Sequence, residues 1–463
     1  MTKKKEKKSK FAYEKKNGWT LIDKKREKSI FDFNEKYIKH LSVCKTEREI
    51  IDNAVKESKK KGFKEGKGKK FYIVNRGKSA CFVIIGKESI ENGVRIIGSH
   101  VDSPRLDLKQ NPIYEDIELA LLKTHYYGGI KKFQWVTIPL AIHGIIIKAN
   151  GEKVNITIGE DEKDPVFTIT DILPHLSYKV QGTKKIGEAI PGENLNILIG
   201  SIPVKDKDEK TKVKENLLHI LNKKYGIIEE DFLSAEIEIV PAGKARDIGF
   251  DRSLVGGYGH DDRVCAFTSL EALFDAKTPA YTTIIYFSDK EEVGSDGNTG
   301  AKSKFIEDVI LKTIENAGLK PTYTLLRKVI NNSQALSSDV NAAIDPTYKS
   351  VNEVNNACKL NYGIVLTKYT GAGGKYGAND CHAEFFGKMR IMFNKRKIVW
   401  QTGELGKVDE GGGGTIAKFL GEVGIETIDC GTPVLCMHSP FEVVSKFDVY
   451  ETYRGYLAFI EEK

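Results

Sequence analysis

The chain has 463 residues and a formal net charge of +8 at pH 7; 40% of the residues are hydrophobic and 29% are charged. This composition is typical of a soluble globular protein, and the length is sufficient for two or more domains. No apolar run approaches the about 20 residues that a helix needs to cross a bilayer, so we expect no membrane partner. The basic N-terminus has no apolar segment after it, so we expect no secretory signal peptide.

Much of the positive charge lies in the stretch Lys3–Lys10 and in lysines between positions 59 and 70. Basic tails can bind nucleic acid. No aromatic stacking pattern accompanies these lysines, so a solvated tail is the favoured interpretation and a nucleic-acid partner is not expected. We predict that residues 1–27 form a basic, partly disordered tail.

Seven cysteines are scattered along the chain, and none belongs to a Cys-x-x-Cys pair. An odd number of dispersed cysteines is typical of a reducing compartment rather than of a disulfide framework. We therefore predict a cytoplasmic protein.

The first half of the chain changes character near residue 110. Helical patterns at 29–42 and 46–61 precede short β-rich runs, and the second helix opens with the capping box Thr46-x-x-Glu49. Between about 110 and 245 the chain carries strand-like stretches but no cluster of carboxylates. We predict that residues 110–245 form an inserted domain. The strand-like runs are Phe71–Val74, Ala80–Ile85 and Val94–Ser99 before the insert, and Trp135–Ile147, Val154–Ile158, Val166–Ile169 and Ala235–Val240 within it.

After residue 250, strands and helices alternate. This alternation predicts an α/β fold with a mostly parallel sheet and helices on both faces. Residues 28–109 and 246–463 would then form one discontinuous catalytic domain around the insert. The predicted elements are a strand at Thr282–Phe287, a helix near 300–315, strands near 361–367 and 389–393, a helix opened by Gly411–Gly414, a strand at Pro433–Met437 and a helix near 446–461.

The first motif is His100-Val101-Asp102, which closes the apolar run that ends at Ser99. A histidine at the end of a parallel strand can ligate a metal, and a carboxylate two residues later can fix the orientation of the imidazole ring. The alternative is a core histidine that is bonded to its own loop.

Four further segments place acids or a histidine where strands or loops end. The carboxyl ends of parallel strands line the binding crevice of open α/β sheets, so these side chains can converge. For any single acid the alternative is a surface charge or a helix cap, such as Asp261 capping the helix that it opens. The segments are Gly259-His260-Asp261-Asp262-Arg263, Asp289-Lys290-Glu291-Glu292-Val293-Gly294-Ser295, Ser337-Ser338-Asp339-Val340 and Met437-His438-Ser439-Pro440.

The collected side chains are two histidines and several carboxylates, with no thiolate pair nearby. Such a donor set suits zinc, cobalt or manganese. More than one carboxylate allows a bridge between two metals, which together clamp the oxygens of a hydrolytic step. Because neighbouring side chains diverge, one of the adjacent pair Glu291 and Glu292 can ligate while the other acts as a base.

The five motifs resemble, in order, the metal-binding signatures of the aspartyl-aminopeptidase family, which includes vacuolar aminopeptidase I and bacterial relatives. The resemblance covers residues from about 30 to the C-terminus. It implies two Zn²⁺ ions per subunit, with Co²⁺ or Mn²⁺ as possible substitutes. The implied residues are His100, Asp261 and Asp339 for one zinc, Asp261, Glu292 and His438 for the second, Asp262 as second choice for the bridge, Glu291 as the catalytic base and Asp102 behind His100.

The resemblance also implies that the insert is a β-rich dimerisation domain and that dimers assemble into a tetrahedral dodecamer around an inner chamber. The segment 173–176 resembles one that brings His175 to a neighbouring subunit's active site, where His175 is a candidate for substrate binding or for an additional metal ligand; a solvated turn is the alternative. The glycine-rich stretch from 368 to 380 lines the substrate cleft in the family. Lys375 and Asn379 are therefore candidate substrate contacts, with a plain loop as the alternative.

The sequence thus predicts a zinc-dependent aminopeptidase that removes the N-terminal residue of peptides with a free N-terminus. One alternative is a co-catalytic zinc carboxypeptidase or deacylase, which would need a cation such as Lys375 or Arg263 for a C-terminal carboxylate. Another is a non-enzymatic assembly or nucleic-acid-binding scaffold, which would have no use for Glu291. A preference for acidic residues would need Lys375 or Arg105 near the metals. Because Arg105 can instead pair with Asp107, we favour neutral residues such as leucine.

Overall fold

The computed structural model describes residues 11–205 and 209–463, so the segment Lys3–Lys10 lies outside the described residues. No helix within the described ranges is long and apolar enough to cross a membrane.

The strands of the described residues fall into three sheets. In chain order they are β1 (Lys64–Glu65), β2 (Lys70–Asn75), β3 (Ser79–Ile84), β4 (Arg95–His100), β5 (Arg105–Asp116), β6 (Leu119–Tyr127), β7 (Leu140–Ile147), β8 (Lys153–Ile158), β9 (Thr168–Ile169), β10 (Ile197–Gly200), β11 (Glu236–Pro241), β12 (Arg246–Ile248), β13 (Leu254–Gly257), β14 (Thr283–Ser288), β15 (Gln334–Ser337), β16 (Asn341–Ala342), β17 (Ile364–Thr367), β18 (Trp400–Thr402), β19 (Glu426–Gly431), β20 (Pro433–Leu435) and β21 (Glu442–Ser445).

The α-helices of the described residues range from one turn to more than five turns. In chain order they are α1 (Lys24–Val43), α2 (Glu47–Lys60), α3 (Pro174–Ser177), α4 (Ile186–Ala189), α5 (Lys212–Tyr225), α6 (His260–Asp275), α7 (Phe305–Asn316), α8 (Tyr323–Asn331), α9 (Ala383–Lys395), α10 (Ala417–Glu422) and α11 (Lys446–Ile460).

The largest sheet has the strand order β1-β2-β3-β14-β4-β15-β19-β17-β18. Its centre, from β14 through β4 and β15 to β19, is parallel, and β3 and β17 run antiparallel to their inner neighbours. Side chains alternate between the faces of a strand, and on β4 Ile96 and Ile97 enter two different apolar clusters. Both faces are therefore covered, which confirms the predicted mostly parallel α/β sheet.

The second sheet is antiparallel throughout, with the order β8-β7-β11-β5-β6-β10-β9. It has its own apolar core, which includes Leu106, Trp135 and Ile239. A β-rich unit is thus inserted in the chain between β4 and β14 of the first sheet. Its first strand, β5, spans Arg105–Asp116 and therefore includes residue 110, the predicted start of the insert.

The third sheet is small, with the order β12-β13-β21-β20-β16. β13 leads directly into α6, and the turn between β20 and β21 carries residues 436–441. This sheet therefore brings two distant parts of the chain beside the carboxyl ends of the first sheet.

The strand predicted near 389–393 is wrong, because these residues lie inside α9. The buried side chains of α9 are Phe385, Met389, Met392 and Phe393, whose spacing of three and four residues is that of a helix face. The short run at 389–393 is mostly apolar, and such a run fits a strand as well as one face of a helix. Its local pattern therefore did not distinguish the two.

The predicted tail 1–27 is ordered over its last residues. A single helical turn spans Gly18–Leu21, and α1 begins at Lys24 with Asp23 as its N-cap. The ring of Trp19 packs against that of Phe447, at 5.5 Å between centroids, which anchors this part of the chain to α11.

Candidate metal centre

Three parallel strands of the first sheet end at one cluster of polar side chains. β4 ends at His100, which pairs in register with Ser288 at the end of β14. β14 is followed by Glu291 and Glu292, and β15 is followed after two residues by Asp339. Because parallel neighbours end at the same edge of a sheet, residues far apart in sequence are brought together there.

Two further residues of the cluster arrive from the third sheet. Asp261 lies in the first turn of α6, directly after β13. His438 lies in the turn between β20 and β21 and has a left-handed backbone with φ of 64°. Glu442, at the start of β21, lies four residues after His438. Its carboxylate accepts a hydrogen bond from the backbone N–H of Asp261 over 3.0 Å and another from the backbone N–H of His438 over 2.7 Å.

Asp261 lies between the two histidines. Its Oδ1 is 2.9 Å from Nε2 of His100, and its Oδ2 is 3.3 Å from Nε2 of His438. Nε2 of His100 is also 3.8 Å from a carboxylate oxygen of Asp339, and Nε2 of His438 is 3.4 Å from one of Glu292. Two groups of three ligand atoms therefore share Asp261, and within each group the atoms lie within 4.8 Å of one another.

The imidazole rings of both histidines are oriented through Nδ1. Nδ1 of His100 is 3.0 Å from the backbone oxygen of Asp102, and Nδ1 of His438 is 3.0 Å from the backbone oxygen of Gly129. A carbonyl oxygen only accepts, so Nδ1 is the donor in each ring and Nε2 is the nitrogen that faces the carboxylate of Asp261. This is the arrangement of histidines that ligate a metal.

The electrostatics of the cluster fit bound cations. Burial raises the pKa of Glu292 and that of Asp339 well above the usual range for carboxyl groups. Burial also raises the pKa of Asp261, but hydrogen bonds from His100 and His438 outweigh it and hold that pKa below its usual range. Several carboxylates packed this closely in a buried site need positive charge to remain ionised. Zn²⁺ with imidazole and carboxylate ligands fits this donor set.

Asp102 connects the first motif to the Glu291–Glu292 turn. Its Oδ1 lies 3.3 Å from Nδ1 of His100 and accepts a hydrogen bond from the backbone N–H of Glu291 over 3.1 Å. Its Oδ2 accepts from the backbone N–H of Glu292, also over 3.1 Å. One carboxylate thus contacts residues of both strand ends, β4 and β14.

Glu291 lies next to Glu292 on a turn of 3-10 helix, and its carboxylate forms a third group of possible ligand atoms with His100 and Glu292. Burial, offset in part by the charge of His100, raises the pKa of Glu291 to about 7. A carboxylate with a pKa near the working pH can both accept and return a proton.

The adjacent acid Asp262 is fully buried, and both of its carboxylate oxygens are without a hydrogen-bond partner in the described structure. It belongs to none of the ligand groups, so the geometry favours Asp261 over this second choice for the bridge. His260 also belongs to none of these groups, and its Nδ1 lies 2.6 Å from the hydroxyl of Tyr37.

The remaining predicted residues have contacts elsewhere. Lys375 pairs with Asp380 at 2.9 Å, and the side chain of Asn379 donates to the backbone oxygen of Thr427 near the start of β19. The cluster lies at the opposite, carboxyl end of the sheet's parallel strands. Neither contact links Lys375 or Asn379 to the cluster. His175, on α3, is exposed.

The two arginines considered as cations for a substrate are buried and paired. Arg263 donates to the backbone oxygens of Tyr258 and Lys45. Arg105 lies 2.8 Å from Asp107, as the alternative in the sequence predicted, and also approaches Glu238. Neither guanidinium is available at the cluster.

Sequence reasoning missed Glu442 and Gly129, which hold residues of the cluster in place. Glu442 lies four residues after His438, but the loop conformation that turns both of its oxygens to backbone N–H groups leaves no local pattern. Gly129 acts through its backbone oxygen, which any residue has. Only the adjacent glycine pair 128–129, which permits a close approach of the backbone, gives a signal.

Comparison with known proteins matches residues 37–460 to the family model described as aminopeptidase I zinc metalloprotease (M18). A probable M18 family aminopeptidase 1 from Clostridium acetobutylicum is 52% identical over 456 residues, covering 96% of this chain and 98% of that protein. The crystal structure of an M18-family aminopeptidase from Thermotoga maritima superimposes with a TM-score of 0.93 at 46% identity, covering 98% of this chain and 100% of that one.

A structure of the S. cerevisiae mApe1 dodecamer shares the fold at 22% identity, with a TM-score of 0.73, covering 92% of this chain and 96% of that one. Fold and matches together define a metallopeptidase with an inserted β-rich unit. The chain belongs to the M18 family of zinc aminopeptidases, and it is a metallo-aminopeptidase.

Proposed function

We propose that the chain binds two Zn²⁺ ions and hydrolyses the N-terminal peptide bond with Glu291 as general base. The observation that carries this proposal is the position of Asp261, which offers one oxygen to each of two ligand groups. His100, Asp261 and Asp339 would hold one ion. Asp261, Glu292 and His438 would hold the other, and Co²⁺ or Mn²⁺ suits the same donors.

Two zinc ions, when bound by these residues, would supply the Lewis acidity that lowers the pKa of a water molecule and polarises the scissile carbonyl. Glu291 accepts the proton of the attacking water and returns it to the leaving amine, and burial suits its carboxyl group to both roles. Asp102 holds the backbone of Glu291 through the hydrogen bond at 3.1 Å, so the base is fixed relative to His100.

Hydrolysis would be limited to the N-terminal residue of a peptide because the site is negatively charged. The free α-amino group of a peptide is a cation, and the carboxylates around the second ion would attract it. A carboxypeptidase would instead need a free cation for the C-terminal carboxylate. The two candidates for that role, Lys375 and Arg263, already have partners. This supports the aminopeptidase over the carboxypeptidase alternative.

The same reasoning favours neutral N-terminal residues such as leucine. An acidic side chain would need a cation near the metals. Arg105 is bound by Asp107 and Glu238, and Lys375 is paired with Asp380. We therefore include a preference for leucine-like residues in the proposal.

We further propose that residues 110–245 form a dimerisation domain, that dimers assemble into a dodecamer in the cytoplasm, and that His175 reaches the active site of a neighbouring subunit. The segment around His175 carries exposed apolar side chains, among them Leu173, Leu176 and Tyr178, which are 51%, 64% and 72% exposed. Large apolar side chains grouped on a surface are typical of subunit contacts. The related mApe1 structure is described as a dodecamer, which supports the proposed assembly. All seven cysteines of this chain are free thiols, which supports the proposed cytoplasmic location.

The test is hydrolysis by zinc-reconstituted protein of a leucyl-alanine dipeptide, its N-acetylated form and its C-terminal amide. We expect cleavage of the free and amidated dipeptides and none of the acetylated one. Cleavage of the acetylated peptide with loss of activity on the amide would instead identify a carboxypeptidase. Failure to cleave any of the three while zinc is bound would refute the proposed activity.

A further inference from the structure

The carboxylate of Asp102 has one partner that comes from the second sheet. The hydroxyl of Tyr127 donates to Oδ2 of Asp102 over 2.8 Å, the shortest contact of that carboxylate. The same oxygen accepts from the backbone N–H of Glu292. Tyr127 is the last residue of β6, and thus belongs to the inserted sheet rather than to the sheet that carries Asp102.

The two residues that follow Tyr127 also lie against the metal centre. The backbone oxygen of Gly129 accepts from Nδ1 of His438. A Cβ atom built on Gly128, whose φ is 72°, would lie 3.3 Å from Cβ of Glu292 and 3.4 Å from its Oε2. The segment Tyr127–Gly129 therefore contacts three residues of the site, and glycine at 128 allows the close approach.

Arg105 holds the ring of Tyr127 in place. Its guanidinium carbon lies 4.0 Å from the centroid of that ring, at a distance typical of a cation–π contact. The guanidinium is bound in turn by Asp107 at 2.8 Å and Glu238 at 3.3 Å, and Glu47 lies 3.5 Å away. Arg105 is only 5% exposed and contacts three carboxylates, so the guanidinium that supports the phenol ring is held in place.

These carboxylates come from both parts of the molecule. Glu47 opens α2, which packs on the first sheet, and Glu238 lies on β11 of the second sheet. Arg105 itself begins β5. Arg105 therefore supports Tyr127 at the place where the inserted sheet meets the part of the chain that carries the candidate metal ligands.

We propose that Tyr127, held by Arg105, is a positioning residue that fixes the Asp102 carboxylate and through it His100 and the Glu291–Glu292 turn. The inserted sheet then sets the geometry of the metal centre in its own subunit, in addition to any role in assembly. This inference rests on the proposed di-zinc function. Partners that orient metal ligands typically contribute about 10- to 100-fold to metal affinity or activity.

The test is the variant Tyr127→Phe, which keeps the ring on Arg105 and removes only the hydroxyl. We expect its zinc affinity, measured by competition with a chelating dye, to fall by about 10- to 100-fold. We expect kcat of the zinc-saturated variant on a leucyl substrate to fall with little change in KM, since the hydroxyl is bonded to the carboxylate of Asp102 and acts through it. The matched control is Tyr126→Phe, whose hydroxyl makes no contact with the site in the described structure and whose side chain is 43% exposed.

Both changes are required, so an unchanged zinc affinity or an unchanged kcat in Tyr127→Phe would overturn the inference. A lower melting temperature alone would indicate a purely structural residue and would overturn it as well. Arg105→Lys keeps the charge among the three carboxylates but loses the planar group under the ring, and we expect a smaller loss in the same direction. If wild-type protein binds no zinc or hydrolyses no peptide, the proposed function itself fails. That result is distinct from a Tyr127→Phe variant whose zinc affinity and kcat are unchanged.

Discussion

Oδ1 of Asp261 lies 2.9 Å from Nε2 of His100, and this short contact joins the start of α6 to the end of β4. The second oxygen of Asp261 is turned to His438 at 3.3 Å. Asp261 therefore belongs to two of the three groups of possible metal ligands and joins the groups of Asp339 and of His438, whereas Asp339 belongs to one.

The first prediction concerns metal stoichiometry. Wild-type protein loaded with zinc should retain two ions per chain after dialysis. Asp261→Asn should lose retention at both positions because the shared oxygens are weakened together, and Asp339→Asn should lose about one ion. Elemental analysis against protein concentration measures this. Asp296→Asn, at an exposed acid beyond the cluster, is the control and should retain both ions. Equal retention in Asp261→Asn and Asp339→Asn would contradict the shared role.

The second prediction separates the two adjacent glutamates. Glu291→Gln should keep both ions and lose about 10²- to 10⁴-fold in kcat, which is the usual contribution of a positioned general base. Glu292→Gln should instead weaken zinc binding, because Oε2 of Glu292 lies 3.4 Å from Nε2 of His438. Steady-state kinetics and metal analysis on the same samples distinguish the two. If both variants lose metal to the same extent, the two roles are wrongly assigned.

The third prediction concerns pH and His143, which lies between Glu49, at 2.7 Å, and Glu160, at 3.1 Å. Burial lowers its pKa, but hydrogen bonds to the two carboxylates outweigh burial and raise it above the usual value. A pKa raised by folding stabilises the native state fully below the unfolded pKa of about 6.5. That stabilisation is lost as the pH rises through the folded pKa.

Urea unfolding of wild type and His143→Gln at a series of pH values measures this contribution. We expect the wild type to be more stable near pH 6 and the difference to shrink as the pH is raised above 7. His219→Gln, at a histidine that is 67% exposed by its side chain, should show no such trend. A difference that grows with pH would reverse the sign and contradict the assignment.

The fourth prediction concerns assembly through the segment around His175. Leu176→Asp should reduce the mass of the particle in sedimentation, because a charge replaces an apolar side chain that is 64% exposed in the single chain. His175→Gln should keep the assembled mass and lower kcat. Val166→Asp, at another exposed apolar residue of the insert, tests whether the effect is specific to this segment. An active wild-type monomer would rule out the proposed assembly.

The fifth prediction concerns specificity. We expect kcat/KM for a leucyl substrate to exceed that for an aspartyl substrate with the same leaving group, because Arg105 and Lys375, the two cations considered for an acidic side chain, are already paired. Lys375→Ala should leave the ratio unchanged. An aspartyl preference above about tenfold, equivalent to about 1.4 kcal/mol of transition-state binding, would overturn this expectation.

Much of the fold and the candidate site could be predicted because the relevant signals are local. The apolar run that ends in His100 indicates a buried strand, and the strand before Glu291 does the same. Strand–helix alternation then places their carboxyl ends at one edge. The resemblance of the five motifs in order supplied the role of each residue, which no single motif carries.

Local patterns did not determine how distant elements meet. At 389–393 a short apolar run fits either a strand or the helix face that the core actually buries. The choice of Asp261 over Asp262 depends on how the first turn of α6 faces β4 and the turn at His438, more than 160 residues away in each direction.

By itself the sequence determined the class of fold, the inserted β-rich unit and the set of metal-binding candidates, because hydrophobic periodicity and short motifs are properties of neighbouring residues. Only the tertiary structure decided that Glu442 holds Asp261 and His438, and that Tyr127 reaches Asp102 from another sheet. These contacts are hydrogen bonds between separate elements. Their geometry arises when the sheets pack, so no spacing along the chain encodes them.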